Sequence, residues 1–416
     1  MRSIRIKKET TNSILTWVII LIAGVGNTIT TSNITLVIVM FFTLYIFIER
    51  EEKFDNFFKY FTILYFIFYF IHILKFHYID FREFREYIKI FYAYIFIKLV
   101  YKDFFRLYTN IIYKLALISL FLYALQLYDY SMMKAFIGLI DHNIAFLDYR
   151  EGWYENLFFF TVNDNGMYRN SGFAWEPKGF GTFLTLAFLF RLFLNKFKLI
   201  DKQNIVYLLA IVTTLSTATY SVFLFAVLGF YLLNKKITFK LFSSLLILPI
   251  VFLIFTQVDF MKEKIENEFN TSDKYLNYVT DRRDSRELGA TSRSLGRFGS
   301  MILDYRDFIK EPLVGYGLYS EKRTMYSVAG IKLIRVNGFS DFLAKFGLIG
   351  IVFLIYSLFK TFKRVSKQFK FKGYYMIPLS ILMTSFASAI LLTPMYLSLL
   401  FYGYIQNENL PSYKRG

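Results

Sequence analysis

Long runs of apolar residues alternate along the chain with short pieces rich in lysine and arginine. A run of about 20 mostly apolar residues can cross the roughly 30 Å hydrocarbon core of a bilayer as a helix. These runs lack the alternation that strands of a membrane barrel would show. The pattern predicts an all-α polytopic integral membrane protein with about 12 transmembrane helices. The predicted spans lie near 13–29, 33–48, 57–74, 87–101, 110–128, 172–194, 204–217, 218–233, 240–257, 341–359, 374–391 and 394–406.

The stretch 204–233 contains no charged residue and carries "LSTATYS" in its middle. It is long for one membrane helix and short for two. Lysines flank it on both sides, at 196–202 and 235–240. Because lysine and arginine favour the cytoplasmic side, both ends are expected on that side. The stretch is therefore predicted to form a hairpin of two short helices.

Composition adds a strong positive charge, with 49 Lys and Arg against 31 Asp and Glu and a formal net charge of +18. The basic residues cluster in the loops that alternate counting places inside, with an exception around Arg82 and Arg85. Topology and contact with anionic lipid headgroups account for this charge, so membrane lipids and not nucleic acid are the expected partners. The same count places 129–171 and 258–340 on the extracytoplasmic side. The absence of cysteine excludes disulfides, thiol catalysis and cysteine-ligated metals.

The stretch "RNSGFAWEPKGFG" (169–181) places charged side chains where the sixth span begins. Arg169 precedes this span, and Glu176 is expected about one turn into it, with Pro177 near the helix start. Ionisable groups at membrane depth are costly and usually serve a function. A guanidinium binds phosphate oxygens in a two-pronged geometry, which suggests a lipid-linked pyrophosphate as ligand. The alternative is an Arg169–Glu176 ion pair that only holds the helix end.

The segment 258–340 contains the run "DRRDSRELGATSRSLGRFG" (281–299). The charges at 281–287 are typical of a solvated face. Arg293 and Arg297 are four residues apart and would share one face if this piece were helical. They directly precede an amphipathic run, and their guanidinium groups make them candidate phosphate contacts.

Four segments resemble motifs of bacterial O-antigen polymerases and the related O-antigen ligases, in the same order. "RNSGFAWEPKGFGTFLTLAF" is similar to their R-x-S-G-x-x-x-E-P pattern, and "LSTATYSVFLFAVLGF" to the helix that follows it. "GRFGSMILDYRDFIKEPLVGYG" is similar to a loop in which an arginine precedes a Pro-Leu-x-Gly-x-Gly turn by about fifteen residues. "NGFSDFLAKFGLIG" resembles the start of the next span. The resemblance covers 169–350.

The resemblance implies a GT-C-like membrane glycosyltransferase with one long extracytoplasmic loop, no metal and no cofactor. Such an enzyme transfers a growing glycan from undecaprenyl pyrophosphate to the non-reducing end of a lipid-linked oligosaccharide repeat unit. It works in the bacterial inner membrane with its active site facing the periplasm, and a chain-length regulator protein is a further implied partner. The segments would then be N-terminal helices and an outer loop (1–168), a core (169–257), a periplasmic loop (258–340) and C-terminal helices (341–416).

The residues expected to act are those that match the motifs. Arg169 and Arg297 would grip the departing pyrophosphate, and Glu176 would serve either as base or as the orienting partner of an arginine. Asp341 is the rival base. The further expected substrate contacts are Arg293, Asn337, Asp341 and Lys178.

One departure from the family pattern bears on the reaction. The ligases carry a histidine before the asparagine of the last motif, where this chain has Val336 followed by Asn337. Its absence favours a polymerase over a ligase. A flippase for lipid-linked oligosaccharides is the other alternative, but flippases usually show repeated halves. This chain has no internal repeat and concentrates its polar residues in one loop.

Overall fold

A computed structural model describes residues 8–143, 154–163, 168–234, 292–324, 327–328 and 331–405. This part of the chain is mainly helical, as predicted. The helices are α1 (Lys8–Gly24), α2 (Thr28–Thr31), α3 (Asn33–Glu49), α4 (Asn56–Phe76), α5 (Phe81–Val100), α6 (Phe104–Tyr128), α7 (Tyr130–Asn143), α8 (Pro177–Leu194), α9 (Lys202–Thr213), α10 (Thr217–Asn234), α11 (Arg297–Lys310), α12 (Gly338–Phe369), α13 (Met376–Ala387) and α14 (Pro394–Tyr402). The predicted span at 240–257 and the charge run at 281–287 lie outside the described residues.

Four of the described helices are long and apolar enough to cross a membrane, namely α4, α6, α8 and α12. Their surroundings differ. In the most apolar window of α8, 83% of the residues are buried, against 17% in α4. α8 is therefore the central helix, packed against α6, α9, α10 and α13. α4 instead presents an apolar outer face, as a helix in contact with lipid does.

The stretch 204–233 forms two helices, as predicted. α9 ends at Thr213 and α10 begins at Thr217, with Leu215 between them in the left-handed region at φ 46°. Both helices pack on α8. The approach of α10 is close, because a Cβ atom at Gly181 would lie 2.2 Å from Thr219 Oγ1. Only glycine fits this position of α8.

Short strands lie in the two segments that the sequence places outside the spans. β1 (Tyr154–Leu157) and β2 (Phe160–Asn163) form an antiparallel hairpin. β3 (Ser292–Ser294), β4 (Ser327–Val328) and β5 (Ile331–Ile334) form a sheet with the order β3-β5-β4. β3 runs parallel to β5, and β4 runs antiparallel to it. α7, the hairpin and this sheet were not anticipated from the sequence.

α12 is broken at Gly347, whose φ of 58° and ψ of −159° are not helical. The turn after α11 fills the break. The N–H groups of Tyr316 and Gly317 donate to the carbonyls of Ala344 and Lys345 at 3.0 and 2.7 Å. In return, the N–H groups of Leu348 and Ile349 donate to the carbonyls of Pro312 and Leu313 at 2.8 and 3.2 Å. The backbone groups that the break releases are thus satisfied, which a broken membrane helix requires.

Candidate functional site

The turn formed by residues 169–172 lies shortly before α8 in the sequence. Gly172 is the residue of this turn in the left-handed region, with φ 52°. The Gly172 carbonyl accepts a hydrogen bond from the N–H of Thr161 in β2 at 2.7 Å. Asn170 joins the turn to the end of α9, because its N–H donates to the Thr213 carbonyl at 2.9 Å. The turn is thereby fixed between the β1–β2 hairpin and the break between α9 and α10.

Arg169 lies at the start of this turn and is half-buried. Its Nε donates to the Thr214 carbonyl at 3.1 Å, at the C-terminal end of α9. Its two terminal nitrogens make no hydrogen bond and no ion pair within the described part of the chain. Burial lowers the pKa of Arg169, the nearby charge of Glu176 acts against this shift, and the charge of Arg297 adds to it. The charges of Glu176 and Arg297 therefore both act on Arg169.

Glu176 occupies the N-cap position of α8, where its side chain makes no capping hydrogen bond, and it does not lie one turn inside the helix, contrary to the prediction from the sequence. The reason is Pro177, which favours the first helical position and holds the residue before it in an extended conformation. Glu176 Oε1 accepts hydrogen bonds from Trp175 Nε1 at 2.8 Å and from Ser388 Oγ at 3.5 Å. Oε2 pairs with Lys178 Nζ at 3.1 Å. Each carboxylate oxygen thus has a donor in contact.

The expected alternative, a direct ion pair between Arg169 and Glu176, is not formed in this arrangement of described residues. Glu176 pairs with Lys178, and Arg169 donates to a backbone carbonyl instead. The carboxylate acts on Arg169 through space. The two side chains are neighbours without occupying each other's hydrogen-bonding groups.

Arg297 is the first residue of α11, after Gly296 at the N-cap. Its carbonyl accepts a hydrogen bond from Asn337 Nδ2 at 3.5 Å. The next residue, Phe298, packs its ring edge-on against Phe386 at 5.9 Å between centroids. Phe386 is two residues before Ser388, the partner of Glu176. The start of α11 is therefore placed beside the start of α8, although 121 residues separate Arg297 from Glu176 in the sequence.

Asn337 caps α12. Its side chain accepts a hydrogen bond from the Ser340 N–H at 3.1 Å, and the residue is fully buried. At Val336, where the ligases carry histidine, the N–H donates to Ser300 Oγ at 3.1 Å. A Cβ atom at Gly338 would lie 2.5 Å from the Ser388 carbonyl, so the start of α12 also lies against the residue that contacts Glu176.

Arg293 does not share a helical face with Arg297, contrary to the prediction. It lies in β3, where it pairs in parallel with Leu333 of β5, and the chain leaves the strand at Leu295 before α11 begins. Gly296 separates the two elements at the N-cap of α11, a position at which glycine is well tolerated.

Asp341 belongs to a buried arginine–aspartate cluster that the sequence did not reveal. Arg323 binds Asp304 and Asp341 at 2.6 Å and Asp307 at 3.1 Å, and Arg335 binds Asp304 at 2.7 Å. Lys345 pairs with the second oxygen of Asp341 at 2.6 Å. Three carboxylates thus face three cations, which compensates for burying charge.

The electrostatics of the cluster follow from this pairing. Burial raises the pKa of Asp304, and the charge of Arg323 offsets part of this effect. Burial alone would lower the pKa of Arg323, but the neighbouring carboxylates raise it above its usual value. The cluster fastens α11 to the first turn of α12, and so fixes the two helix starts that carry Arg297 and Asn337. The one sequence signal for it is the spacing of Asp304 and Asp307, which puts both on one face of α11.

Four helices begin along this chain of contacts: α8, α10, α11 and α12. A helix N-terminus carries partial positive charge and free N–H groups, which favour an anion. Arg169 precedes α8, Lys178 lies in the first turn of that helix and Arg297 in the first turn of α11, and the carboxylate of Glu176 lies at the N-cap of α8. Comparisons of the chain with protein-family models, with curated proteins and with solved structures find no match.

Proposed function

We propose that the chain is an O-antigen polymerase, or the polymerase of a related bacterial surface polysaccharide. The reaction would transfer a growing glycan from undecaprenyl pyrophosphate to the non-reducing end of a lipid-linked repeat unit. The observation that carries the proposal is the arrangement of three residues: Arg169 precedes the central helix α8, Glu176 lies at its N-cap, and the start of α11 with Arg297 lies beside them through the contacts of Phe386 and Ser388. These are the three residues that the family resemblance selects from the sequence.

The chemistry requires a site that stabilises a departing pyrophosphate. The bond between the donor sugar's anomeric carbon and the pyrophosphate oxygen breaks, and a bond from that carbon to the acceptor hydroxyl oxygen forms. Undecaprenyl pyrophosphate leaves with the bonding electrons. Charge develops on its oxygens, so preorganised cations contribute most to the rate. Arg169 is anchored through Nε, and its two terminal nitrogens, which have no partner among the described residues, can bind two phosphate oxygens.

Glu176 is assigned the orienting role rather than that of the base. Each oxygen of a carboxylate has two lone pairs, and a donor that already binds one of them leaves fewer available for a substrate hydroxyl. Both oxygens of Glu176 are engaged, by Trp175 and Ser388 on one side and by Lys178 on the other. Its negative charge lowers the cost of holding Arg169 partly buried. The hydroxyl proton would pass to an oxygen of the departing pyrophosphate.

We place the protein in the inner membrane with about 12 spans, a GT-C-like fold and the site on the periplasmic side. The lysine and arginine distribution supports this orientation. Because the chain has no cysteine, single cysteines report cleanly on it. A cysteine at exposed Lys322 should react with an impermeant maleimide from the periplasmic side. A cysteine at exposed Lys367, near the C-terminal end of α12, should react with the maleimide only after the inner membrane has been permeabilised. The reverse pattern would contradict the orientation.

The reaction itself can be tested with purified protein and repeat units linked to undecaprenyl pyrophosphate. A polymerase should convert them to a ladder of longer lipid-linked glycans, and a chain-length regulator, if added, should narrow the ladder. A ligase would leave the units unextended but transfer them to a lipid A–core acceptor. Transfer to that acceptor without any extension would replace the proposal, although Val336 in place of the ligase histidine argues against this outcome.

A further inference from the structure

Asn170 makes four hydrogen bonds, three of which tie the turn before α8 to two other helices. Its backbone N–H donates to the Thr213 carbonyl at 2.9 Å. Its side-chain nitrogen donates to Thr213 Oγ1 at 3.0 Å and to Ser119 Oγ of α6 at 3.3 Å. Its side-chain oxygen accepts from the Gly172 N–H at 2.9 Å. The residue is fully buried, so it cannot touch a substrate itself.

These bonds fix the backbone on the C-terminal side of Arg169. On the other side, the carbonyl of Tyr168 accepts a hydrogen bond from Tyr123 of α6 at 2.6 Å. The Arg169 side chain then has one anchor, the Thr214 carbonyl, which directly follows the residue that Asn170 binds. An arginine side chain carries about 2 kcal/mol of rotamer entropy, and a binding geometry must hold within about 0.5 Å. The position of the guanidinium therefore depends on the contact between Asn170 and Thr213.

We infer that Asn170 is a positioning residue, which aims the terminal nitrogens of Arg169 at the pyrophosphate of the lipid-linked substrate. The inference rests on the proposed function, because it takes the ligand of Arg169 from it. Asn170 would act only through Arg169. Removing the amide should leave the helices packed but let the guanidinium move away from the phosphate oxygens.

The probe for the test is undecaprenyl pyrophosphate without sugar, titrated into the full-length protein in detergent and followed by native mass spectrometry. Asn170→Ala should weaken binding about tenfold, as the loss of an orienting partner typically does at metal sites. Thr213→Val is a milder change, which removes the side-chain acceptor and the hydrogen bond that Oγ1 donates to the Ala210 carbonyl at 2.9 Å, and it should weaken binding in the same direction. Asn204→Ala is the matched control, because Asn204 is also fully buried and donates to two backbone carbonyls, at 2.8 and 3.2 Å.

The decisive readout is a double-mutant cycle with Arg169→Ala. If Asn170 acts through Arg169, Asn170→Ala should weaken binding no further in the Arg169→Ala background. An equal loss in both backgrounds would overturn the inference and leave Asn170 with a structural role. Unchanged binding in Asn170→Ala and Thr213→Val, with a wild type that binds, would also overturn it while leaving the proposed function intact. A wild type that binds undecaprenyl pyrophosphate no better than undecaprenol would remove both.

Discussion

Replacing Arg169 by lysine tests whether the guanidinium geometry, and not only its positive charge, serves the reaction. In the structure, the three nitrogens of Arg169 divide into one anchor and two available donors. Lysine retains the charge and has three N–H donors, but they share one nitrogen and lack the planar fork with which a guanidinium can keep its anchor at the Thr214 carbonyl and bind two phosphate oxygens. Losing one charge-assisted hydrogen bond costs about 1.5–3 kcal/mol, or roughly 10- to 150-fold in rate. Arg169→Ala, which also removes the charge, should cost on the order of 100-fold or more.

The assay is the initial rate of chain elongation by purified protein at a fixed concentration of undecaprenyl-pyrophosphate-linked repeat units. Arg191→Lys is the matched control, since Arg191 lies near the other end of α8 and pairs with Asp201 at 2.7 Å. The control should keep a rate close to that of the wild type. Elongation at the wild-type rate by well-folded Arg169→Ala protein would refute the assignment, and full activity of Arg169→Lys would refute the two-pronged geometry.

Three further predictions address other parts of the account. Glu176→Gln should keep elongation within about tenfold of the wild-type rate, because an orienting partner is less critical than a base; a loss of 1,000-fold or more would reassign it as the base. Arg323→Met should lower the free energy of unfolding by about 3–5 kcal/mol, since it leaves three carboxylates with only Arg335 and Lys345 to balance their charge; an unchanged denaturation temperature would contradict the role of the arginine–aspartate cluster. Elongation should proceed in excess EDTA, and a loss restored by magnesium or manganese would reveal a metal site that the sequence does not predict.

The helical fold could be predicted because apolar runs bounded by lysine and arginine follow directly from the thickness of a bilayer. The division of 204–233 into two helices was predicted from its length and its flanking lysines, and the break lies at Leu215 inside "LSTATYS". Helix starts were harder to place. The predicted span at 172–194 begins at Pro177, because proline at the first helical position outweighs the apolar pattern that precedes it.

The sequence predicts which residues are candidates for the site, but only in part how the fold brings them together. The motifs selected Arg169, Glu176 and Arg297, but the contacts that bring them together run through Ser388 and Phe386, which belong to no motif. The arginine–aspartate cluster joins residues up to 37 positions apart, from Asp304 to Asp341. Such contacts depend on how helices pack, which a single sequence does not specify. The β3 strand that carries Arg293 is short and pairs with a strand that is distant in the sequence, so no local sequence pattern predicts it.

The central claim is that this chain polymerises lipid-linked repeat units, and the surface glycan of a deletion strain tests it most directly. Polymerase, ligase and flippase all handle the same lipid-linked glycan, but their losses leave different products. In a Gram-negative host, loss of this gene should leave lipopolysaccharide capped with a single repeat unit, because export and ligation continue. The wild-type gene in trans should restore the ladder, and the Arg169→Ala gene should not. Bare core in the deletion strain, restored by the gene in trans, would contradict the account.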